Sequence, residues 1–332
     1  MLKTTVVGNY PKITDGDPSR EDKSAPNLRS ALNRFDQGKI SEEELDKVYE
    51  QTIKRVIKEQ EKAGVDLITD GQIRWDDPVT PFARNIDGYQ IGGLIRFFDN
   101  NVYYRRPIVK SKLAFKDYST VEEFKFLKQN STKKVKATVV GPFTFAKLSK
   151  DEYYNQIDQL TLDLAEILKK EAKKLEEAGA EVIQIDEPAL CFSPDKIDLA
   201  NQAIKIVTDG LKAKTFLYLY FGGIKNLIPK LFDFQVNGIG IDVVSKPENL
   251  NLILNSSFDK ELVLGCLDAR NTKLEEEEEL LRLLERTTQK ISSKRLFVSP
   301  SCGLEFLPHQ TALLKLKRMV QAVKVFNRRG SD

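Results

Sequence analysis

Short apolar segments alternate with longer amphipathic segments along the chain. Eight segments rich in Val, Ile, Leu, Phe or Tyr are mostly continuous apolar runs, which is typical of parallel strands buried on both faces. The charged amphipathic runs between them predict helices. The predicted strands lie near residues 4–9, 66–70, 136–140, 181–186, 215–220, 238–244, 262–267 and 295–299.

Several helix ends can also be placed from the sequence. Two amphipathic runs end in Gly64 and Gly179, and a predicted strand follows each glycine. We expect both glycines in the left-handed conformation that ends a helix, because glycine has no Cβ to clash there. A hydroxyl residue three positions before a glutamate predicts a capping box at a helix start. This spacing occurs at Ser41/Glu44, Ser149/Glu152 and Thr272/Glu275.

The alternation favours one α/β fold. Eight strand–helix units in 332 residues indicate a closed (β/α)8 barrel, the TIM barrel, rather than an open sheet. We expect residues 1–332 to form this single domain. The stretch 76–135 is too long for an ordinary loop. We expect it to be an elaborated insertion after the second strand, lying over the barrel mouth where active sites form.

Composition narrows the function classes. A net charge of +3 gives no reason to propose a nucleic-acid partner, which would usually show a concentrated basic patch. No apolar run is long enough to span a membrane. Three widely spaced cysteines predict a reducing, cytoplasmic location. Abundant Lys and Glu are typical of a thermophile. Dinucleotide, P-loop and Cys-x-x-Cys motifs do not occur in the sequence.

Polar residues follow the predicted strands at their carboxyl ends. One acid at such a position often caps the next helix, but a ring of polar residues predicts a binding mouth for a small-molecule substrate. His309, at the start of the last helix, is interpreted as a helix-entry residue rather than a ligand. The predicted mouth residues are Asn9, Asp70, Gln72, Arg74, Asp186, Glu187, Tyr218, Tyr220, Asp242, Asp268, Arg270 and Cys302.

The strand ends resemble those of cobalamin-independent methionine synthases. The most specific match is residues 183–190, Ile-Gln-Ile-Asp-Glu-Pro-Ala-Leu. The resemblance is to one barrel, as in the single-barrel proteins typical of archaea, whereas the bacterial and plant enzymes have two. Further matches follow the family's order at residues 6–11, 38–45, 68–74, 140–144 and 299–304.

The resemblance implies methyl transfer from a methylated folate or related pterin to homocysteine. In the family, zinc binds the homocysteine sulfur as a thiolate. Its usual ligands, a His, two Cys and a Glu, fall here on Tyr218, Tyr220, Cys302 and the vicinity of Lys246. Cys302 alone cannot build the three-ligand site that catalytic zinc needs. We therefore expect no zinc or other cofactor on this chain, with the methyl-pterin as a co-substrate.

The resemblance also implies which residues bind substrate. Asp186 and Glu187 are retained, whereas Asn9, Gln72 and Arg270 stand where the family has Ser, Glu and a catalytic His. We expect Asn9, Gln72, Asp186 and Glu187 to bind substrate, and no catalytic residue is assigned.

The pattern of losses resembles the zinc-less amino-terminal barrel of the two-barrel enzymes. In that barrel, basic residues help to hold the anionic tail of the folate. Arg29, and with a less certain alignment Arg96, occupy the matching positions, and a guanidinium suits a carboxylate tail. An ordinary solvated surface role stays open for both arginines.

Three functions stay open. The chain could be a component of methionine synthase that acts with a separate zinc-bearing barrel and is inactive alone. It could be a freestanding methyltransferase, with Cys302 and Cys266 in an altered metal site or with Tyr218 and Tyr220 lining a changed acceptor pocket. It could also be a module that binds a pterin or an amino acid without turnover, since a fold does not fix a function.

Overall fold

The computed structural model describes residues 1–12, 27–98, 100 and 102–329. Its strands are β1 (Lys3–Thr4), β2 (Leu67–Ile68), β3 (Ile86–Arg96), β4 (Tyr103–Phe115), β5 (Lys134–Val135), β6 (Ala137–Val140), β7 (Lys150–Asp151), β8 (Val182–Asp186), β9 (Lys214–Leu219), β10 (Gly238–Asp242), β11 (Glu261–Leu267) and β12 (Leu296–Pro300). Its α-helices are α1 (Leu28–Asp36), α2 (Glu42–Ala63), α3 (Thr80–Arg84), α4 (Val121–Asn130), α5 (Pro142–Leu148), α6 (Ile157–Glu177), α7 (Ile197–Thr208), α8 (Glu248–Leu254), α9 (Glu277–Thr288) and α10 (His309–Arg329).

Parallel strands close into a barrel. The largest sheet has the order β1-β12-β11-β10-β9-β8-β6, and all its pairs are parallel. The gap between β1 and β6 is filled by β2, which pairs in parallel with β5 just before β6. Thr5, directly after β1, bridges to Leu67 of β2. The sheet therefore closes on itself, and the predicted (β/α)8 barrel is confirmed.

Amphipathic helices cover the outside of the barrel. On α6, Leu160, Leu164 and Leu168 recur every four residues and are all buried, which forms the apolar stripe expected of a helix packed on a sheet. Each fully buried leucine stabilises the fold by roughly 1.5–3 kcal/mol. Among the helices that the structure describes, none is long and apolar enough to cross a membrane.

One predicted helix start and two predicted helix ends are present in the structure. Ser41 and Glu44 form the complete capping box at the start of α2, with the serine hydroxyl accepting from the Glu44 amide. Gly64 and Gly179 have φ angles of +90° and +91°, so both adopt the left-handed conformation that glycine tolerates best. These predictions are confirmed.

The other two predicted capping boxes are wrong. Ser149 follows the last turn of α5, and its amide donates to the Phe145 carbonyl. Glu152 forms ion pairs with lysines of β4 and β7. Glu275 precedes α9 and instead accepts from the Asp268 amide and the Lys315 ammonium. Tertiary partners have replaced the local capping interaction in both cases.

The segment after β2 forms an antiparallel hairpin, β3–β4, that β7 extends in parallel. The hairpin tip packs over the carboxyl ends of the barrel strands. Phe97 and Phe98 lie 6.2 and 6.0 Å from Phe221, measured between ring centroids, and Phe221 follows β9. Phe98 also stacks on Phe192 at 5.5 Å. The inserted hairpin therefore forms part of the wall above the barrel.

Candidate active site at the barrel mouth

The carboxyl ends of the barrel strands surround a small cavity, which we call the mouth cavity. Trp75, Phe97 and Phe221 form much of its apolar wall. It lies beside a larger cleft of about 670 Å³, with which it shares Asn9, Gln72, Trp75, Pro78 and Glu305. The structure thus brings together several residues predicted from different strands. The polar wall consists of Asn9, Gln72, Thr144, Asp186, Tyr220 and Glu305.

Asp186, the last residue of β8, is held in a buried hydrogen-bond chain. The Gln184 amide donates to its Oδ1 at 2.7 Å, and the Tyr220 hydroxyl lies 3.5 Å from its Oδ2. The Lys136 ammonium donates to the Gln184 side chain from below and also to the Val6 carbonyl. Burial raises the pKa of Asp186 and lowers that of Lys136, and attraction between the two charges opposes both shifts.

Glu187, the next residue, points away from the mouth cavity. Its carboxylate accepts from the amides of Phe143 and Thr144 at 2.9 and 2.8 Å and from the Thr144 hydroxyl at 2.7 Å. Burial raises its pKa to about 7, against these three stabilising hydrogen bonds. The residue predicted to bind substrate therefore holds the start of α5 instead.

Glu305 lines the mouth cavity although the sequence analysis did not select it. It lies in a short helical turn after β12. Asn9 donates to its Oε1 at 3.1 Å, while its Oε2 atom is buried and accepts no hydrogen bond from the described residues. Burial raises its pKa to about 7. One oxygen of this buried carboxyl is thus hydrogen-bonded, and the other has no hydrogen-bond partner among the described residues.

Glycines make room for the polar side chains of the mouth. A Cβ on Gly303 would lie 2.1 Å from Glu305 Oε2, and a Cβ on Gly8 would lie 2.5 Å from Gln72 Nε2. Both distances are far below van der Waals contact. A side chain at either glycine would therefore require Glu305 or Gln72 to move.

Two predicted acids lie on the rim and shape its loops. Asp242 accepts from the amides of Phe221, Val244 and Ser245 at 2.9–3.1 Å, so it fixes two loops rather than facing the cavity. Asp268 accepts from the Arg270 amide at 2.9 Å in the same way. Both acids have the capping role that is common for an acid after a strand.

Arg270 joins the inserted hairpin to the barrel. Its guanidinium donates to Asn100 at 3.2 Å and to Ser245 at 2.6 Å. It also lies over the Phe221 ring, 5.4 Å from the centroid. This one side chain therefore connects the hairpin tip with loops that follow β9 and β10.

We expect Arg270→Ala to loosen the hairpin tip. The amides of Phe97 and Asn100 are bonded within the tip, and their hydrogen exchange should accelerate about three- to tenfold because local opening becomes easier. Arg329→Ala, which removes an exposed arginine paired with Glu285 far along the chain, is the control and should leave these amides unchanged. Unaltered exchange in Arg270→Ala would show that the phenylalanine contacts alone hold the tip.

Four further predicted residues lie outside the mouth cavity. Asp70 is buried and accepts from the Gln72 amide at 3.0 Å, and burial raises its pKa. Arg74 turns toward α2, where it pairs with Asp46 at 2.5 Å and covers the Tyr49 ring. Arg29 on α1 and Arg96 at the end of β3 are exposed, and neither lines the cavity.

The two remaining predicted residues are buried. The Tyr218 hydroxyl lies 3.5 Å from the Lys136 ammonium, inside the barrel. Cys302 is 1% exposed, and burial raises the pKa of its thiol well above the ordinary range. Its environment therefore favours the neutral thiol over the thiolate that binds metals.

Comparison with known proteins decides the family. Residues 2–325 match the model of the cobalamin-independent synthase catalytic domain. A methionine synthase of Saccharolobus solfataricus is 34% identical over 98% of this chain and 95% of its own length. One of Sulfurisphaera tokodaii is also 34% identical, over 98% of this chain and 92% of its own. The chain belongs to the cobalamin-independent methionine synthase family.

Solved structures agree with the barrel fold of this methionine synthase family. A B12-independent methionine synthase of Shewanella, solved with selenomethionine, superposes with a TM-score of 0.84, 23% identity and coverage of 99% of this chain and 98% of that one. A Listeria monocytogenes protein described as a B12-independent methionine synthase gives 0.77 at 19% identity, covering 98% of both chains.

The zinc chemistry implied by the resemblance to methionine synthases does not fit the donor set here. The described residues contain no group of three or more His, Cys, Asp or Glu side chains that could hold a metal ion. Tyr218 and Tyr220 occupy two expected ligand positions, and both hydroxyls have pKa values raised by burial. Catalytic zinc requires three protein ligands and an open position, which the described residues do not supply.

Sequence analysis missed three polar side chains inside the barrel and at its mouth, those of Lys136, Gln184 and Glu305. Lys136 and Gln184 lie in strand segments that are otherwise apolar, and a charged residue inside a buried strand run is itself a signal of an internal network. Glu305 follows Gly303 by two residues, outside any strand end, and gave no comparable signal.

Proposed function

We propose that this chain acts in methionine synthesis as a zinc-less barrel that works with a separate zinc-bearing barrel. In this proposal, the mouth binds the amino-acid acceptor, homocysteine, and the methyl donor is a methylated folate or related pterin. The observation that carries it is a small cavity at the mouth, lined by both polar and apolar side chains, combined with a donor set among the described residues that is unsuited to zinc.

The ligand class is supported by the cavity and by the relatives. Asp186 and Asn9 offer a carboxylate and an amide, groups that suit the polar end of an amino acid. The Shewanella relative was solved with selenomethionine, and the curated relatives are methionine synthases. A sulfur-containing amino acid is therefore the ligand that we infer for this mouth.

The dependence on a partner follows from the chemistry of the acceptor. Methyl transfer to sulfur needs the thiolate, because the thiol is a weak nucleophile. The polar wall of the cavity contains two carboxyl groups, from Asp186 and Glu305, and no Lys, Arg or His among its described residues. Nearby negative charge raises the pKa of a thiol. This site would therefore oppose the deprotonation of the homocysteine thiol. In this proposal, another barrel activates the thiol.

Zinc content and reconstitution test the proposal. The chain is purified after expression with zinc and is dialysed, and we expect well below about 0.1 zinc per chain, since no three-ligand set is available. Methyl transfer to homocysteine should be absent for the chain alone and should increase when a purified zinc-containing barrel of the family is added. The control is the rate of methyl transfer by the zinc-containing barrel measured without this chain.

The alternatives predict different results. About one zinc per chain, lost in Cys302→Ala, would contradict the proposal and support a freestanding methyltransferase. Tight amino-acid binding without any stimulation of a zinc-containing barrel would instead support a binding module without turnover. The buried carboxyl of Glu305, with an oxygen free for a ligand, is the observation that favours this second candidate.

A further inference from the structure

A further cavity lies at the opposite end of the barrel from the mouth, where the strands begin. Lys3 and Lys214 are the first residues of β1 and β9, and Asp66 and Glu181 directly precede β2 and β8. This cavity, which we call the base cavity, has a volume of about 520 Å³, within the range of small-molecule sites. Among the described residues, it shares none with the mouth cavity. The base cavity is therefore separate from the candidate active site.

The floor of the base cavity is aromatic. The rings of Phe216 and Phe297 meet edge to face with 5.5 Å between their centroids, and the two residues are 0% and 6% exposed. Val135 and Val182, both half-buried, add apolar surface beside them. A Cβ on Gly238 would lie 2.9 Å from Phe216 Cδ1, so the glycine leaves room for this ring. An apolar floor of this kind suits the flat body of a ligand.

The rim of the base cavity carries more positive than negative charge. Of its two acids, Asp66 accepts from the Thr4 amide and hydroxyl at 2.8 and 2.9 Å. Glu181 lies 3.8 Å from one rim lysine, and the two side chains are 78% and 80% exposed, so water screens most of their attraction. These two acids are opposed by four lysines, namely Lys3, Lys133, Lys134 and Lys214. The rim would therefore attract an anion.

Two of the rim lysines are available to a ligand. Lys214 pairs with Glu261 at 2.8 Å, whereas Lys3 and Lys133 are exposed and form no ion pair with the residues that the structure describes. The Lys3 ammonium lies over the Phe297 ring, 5.5 Å from its centroid. A positive charge thus adjoins the aromatic floor, where it can meet an anionic group carried by a bound ring.

We propose that the base cavity binds a small aromatic anion, with its ring on Phe216 and Phe297 and its anionic group at Lys3 and Lys133. Each lysine ammonium has three donors and no acceptor, so a carboxylate or sulfonate is the matching group. The ring removes apolar floor from water, and the charge of the ligand balances the rim. This site does not depend on the acceptor site proposed at the mouth, because the two cavities share no described residue.

Other occupants fit the base cavity less well. Four lysines would repel a metal ion, and the described residues contain no group of three or more metal-binding side chains. The surface of a membrane or of another protein is too broad to reach Phe216 and Phe297, because both rings are almost fully buried below the rim. A neutral aromatic molecule would leave Lys3 and Lys133 without a counter-charge. An aromatic anion is the ligand chemistry that uses both parts of the cavity.

Fluorescence titration with 8-anilinonaphthalene-1-sulfonate tests the proposal, because this aromatic sulfonate reports binding to apolar surface. The probe is titrated into the wild-type chain and into two double variants. Lys3→Gln/Lys133→Gln removes the two rim charges, and Lys47→Gln/Lys110→Gln is the control with the same change of net charge. All four lysines are exposed, and neither control position lines the base cavity.

We expect the wild-type chain and the control variant to bind the probe equally, and Lys3→Gln/Lys133→Gln to bind it about three- to thirtyfold more weakly, because two charge-assisted contacts are lost. Added salt should weaken binding to the wild-type chain more than binding to this variant. The carboxylate 2-naphthoate should displace the probe at a lower concentration than its neutral analogue 2-naphthamide. Lys133→Glu should weaken binding by itself and is the second variant if the double variant does not fold.

Four results would overturn the proposal. Unchanged affinity of Lys3→Gln/Lys133→Gln would place the probe outside the base cavity, and displacement of the probe by L-methionine would place it at the mouth. Equal displacement by 2-naphthoate and 2-naphthamide would show that the floor binds rings without selecting charge. Absence of probe binding to the wild-type chain would contradict the site altogether.

Discussion

Gly141→Ala is expected to destabilise the barrel by about 3 kcal/mol or more, at the high end for added volume in a packed interior. A Cβ at this position would lie 2.2 Å from the Cδ atom of Glu187. The carboxylate cannot move aside, because it accepts three hydrogen bonds from Phe143 and Thr144. Alanine would therefore either break this buried cap of α5 or push the helix away from the barrel.

Denaturant unfolding of the two matched glycine variants measures this effect. Gly93→Ala is the control, because a Cβ on Gly93 would meet nothing within 4 Å and the residue is exposed in β3. We expect the control to change the free energy of unfolding by less than about 0.5 kcal/mol. If the free energy of unfolding of Gly141→Ala lies within about 1 kcal/mol of the wild-type value, Glu187 is free to move and does not fix α5.

The barrel strands could be predicted because burial on both faces makes each strand a nearly continuous run of apolar residues. The apolar pattern predicts a strand over residues 181–186, and β8 spans Val182–Asp186. The inserted hairpin could not be predicted in the same way. Its strand β3 contains Gly88, Gly92 and Gly93, which locally indicate turns. The strand forms because β4 pairs with it, and such nonlocal pairing overrides local propensity.

The site was predictable where strand geometry alone places a residue. Asn9, Gln72 and Tyr220 follow barrel strands and Asp186 ends one, and all four meet in the mouth cavity. Asp186 and Glu187 were assigned the same role, although neighbouring residues of an extended chain point to opposite sides. Alternation was therefore enough to show that only one of them could face the cavity.

Other positions depend on contacts that no local pattern contains. Arg74 follows β2 like a mouth residue, but Asp46 on α2 attracts it outward. The position of Glu305 depends on Asn9, almost the full chain length away. Such contacts form only in the folded barrel, whose closure brings β1 beside β12.

Replacement of Lys136 by alanine is expected to cost about 3–5 kcal/mol of stability, the range for breaking a buried charged pair. Its ammonium donates to the Val6 carbonyl and to Gln184, and lies 4.9 Å from the Tyr218 ring. Loss of the side chain would leave these groups unsatisfied inside the barrel and would remove the charge that offsets Asp186. Urea unfolding at pH 7 gives the change in free energy.

Lys136→Met separates the charge from the packing, since methionine keeps most of the buried aliphatic stem. We expect this variant to lose about half as much stability as the alanine variant, because it creates no large cavity but still removes the ammonium donor. Equal stability of the methionine variant and the wild type would mean that desolvation of the ammonium cancels its hydrogen bonds. In that case the main effect of the lysine would be on Asp186. A weaker affinity of Lys136→Met for L-methionine would reveal this effect.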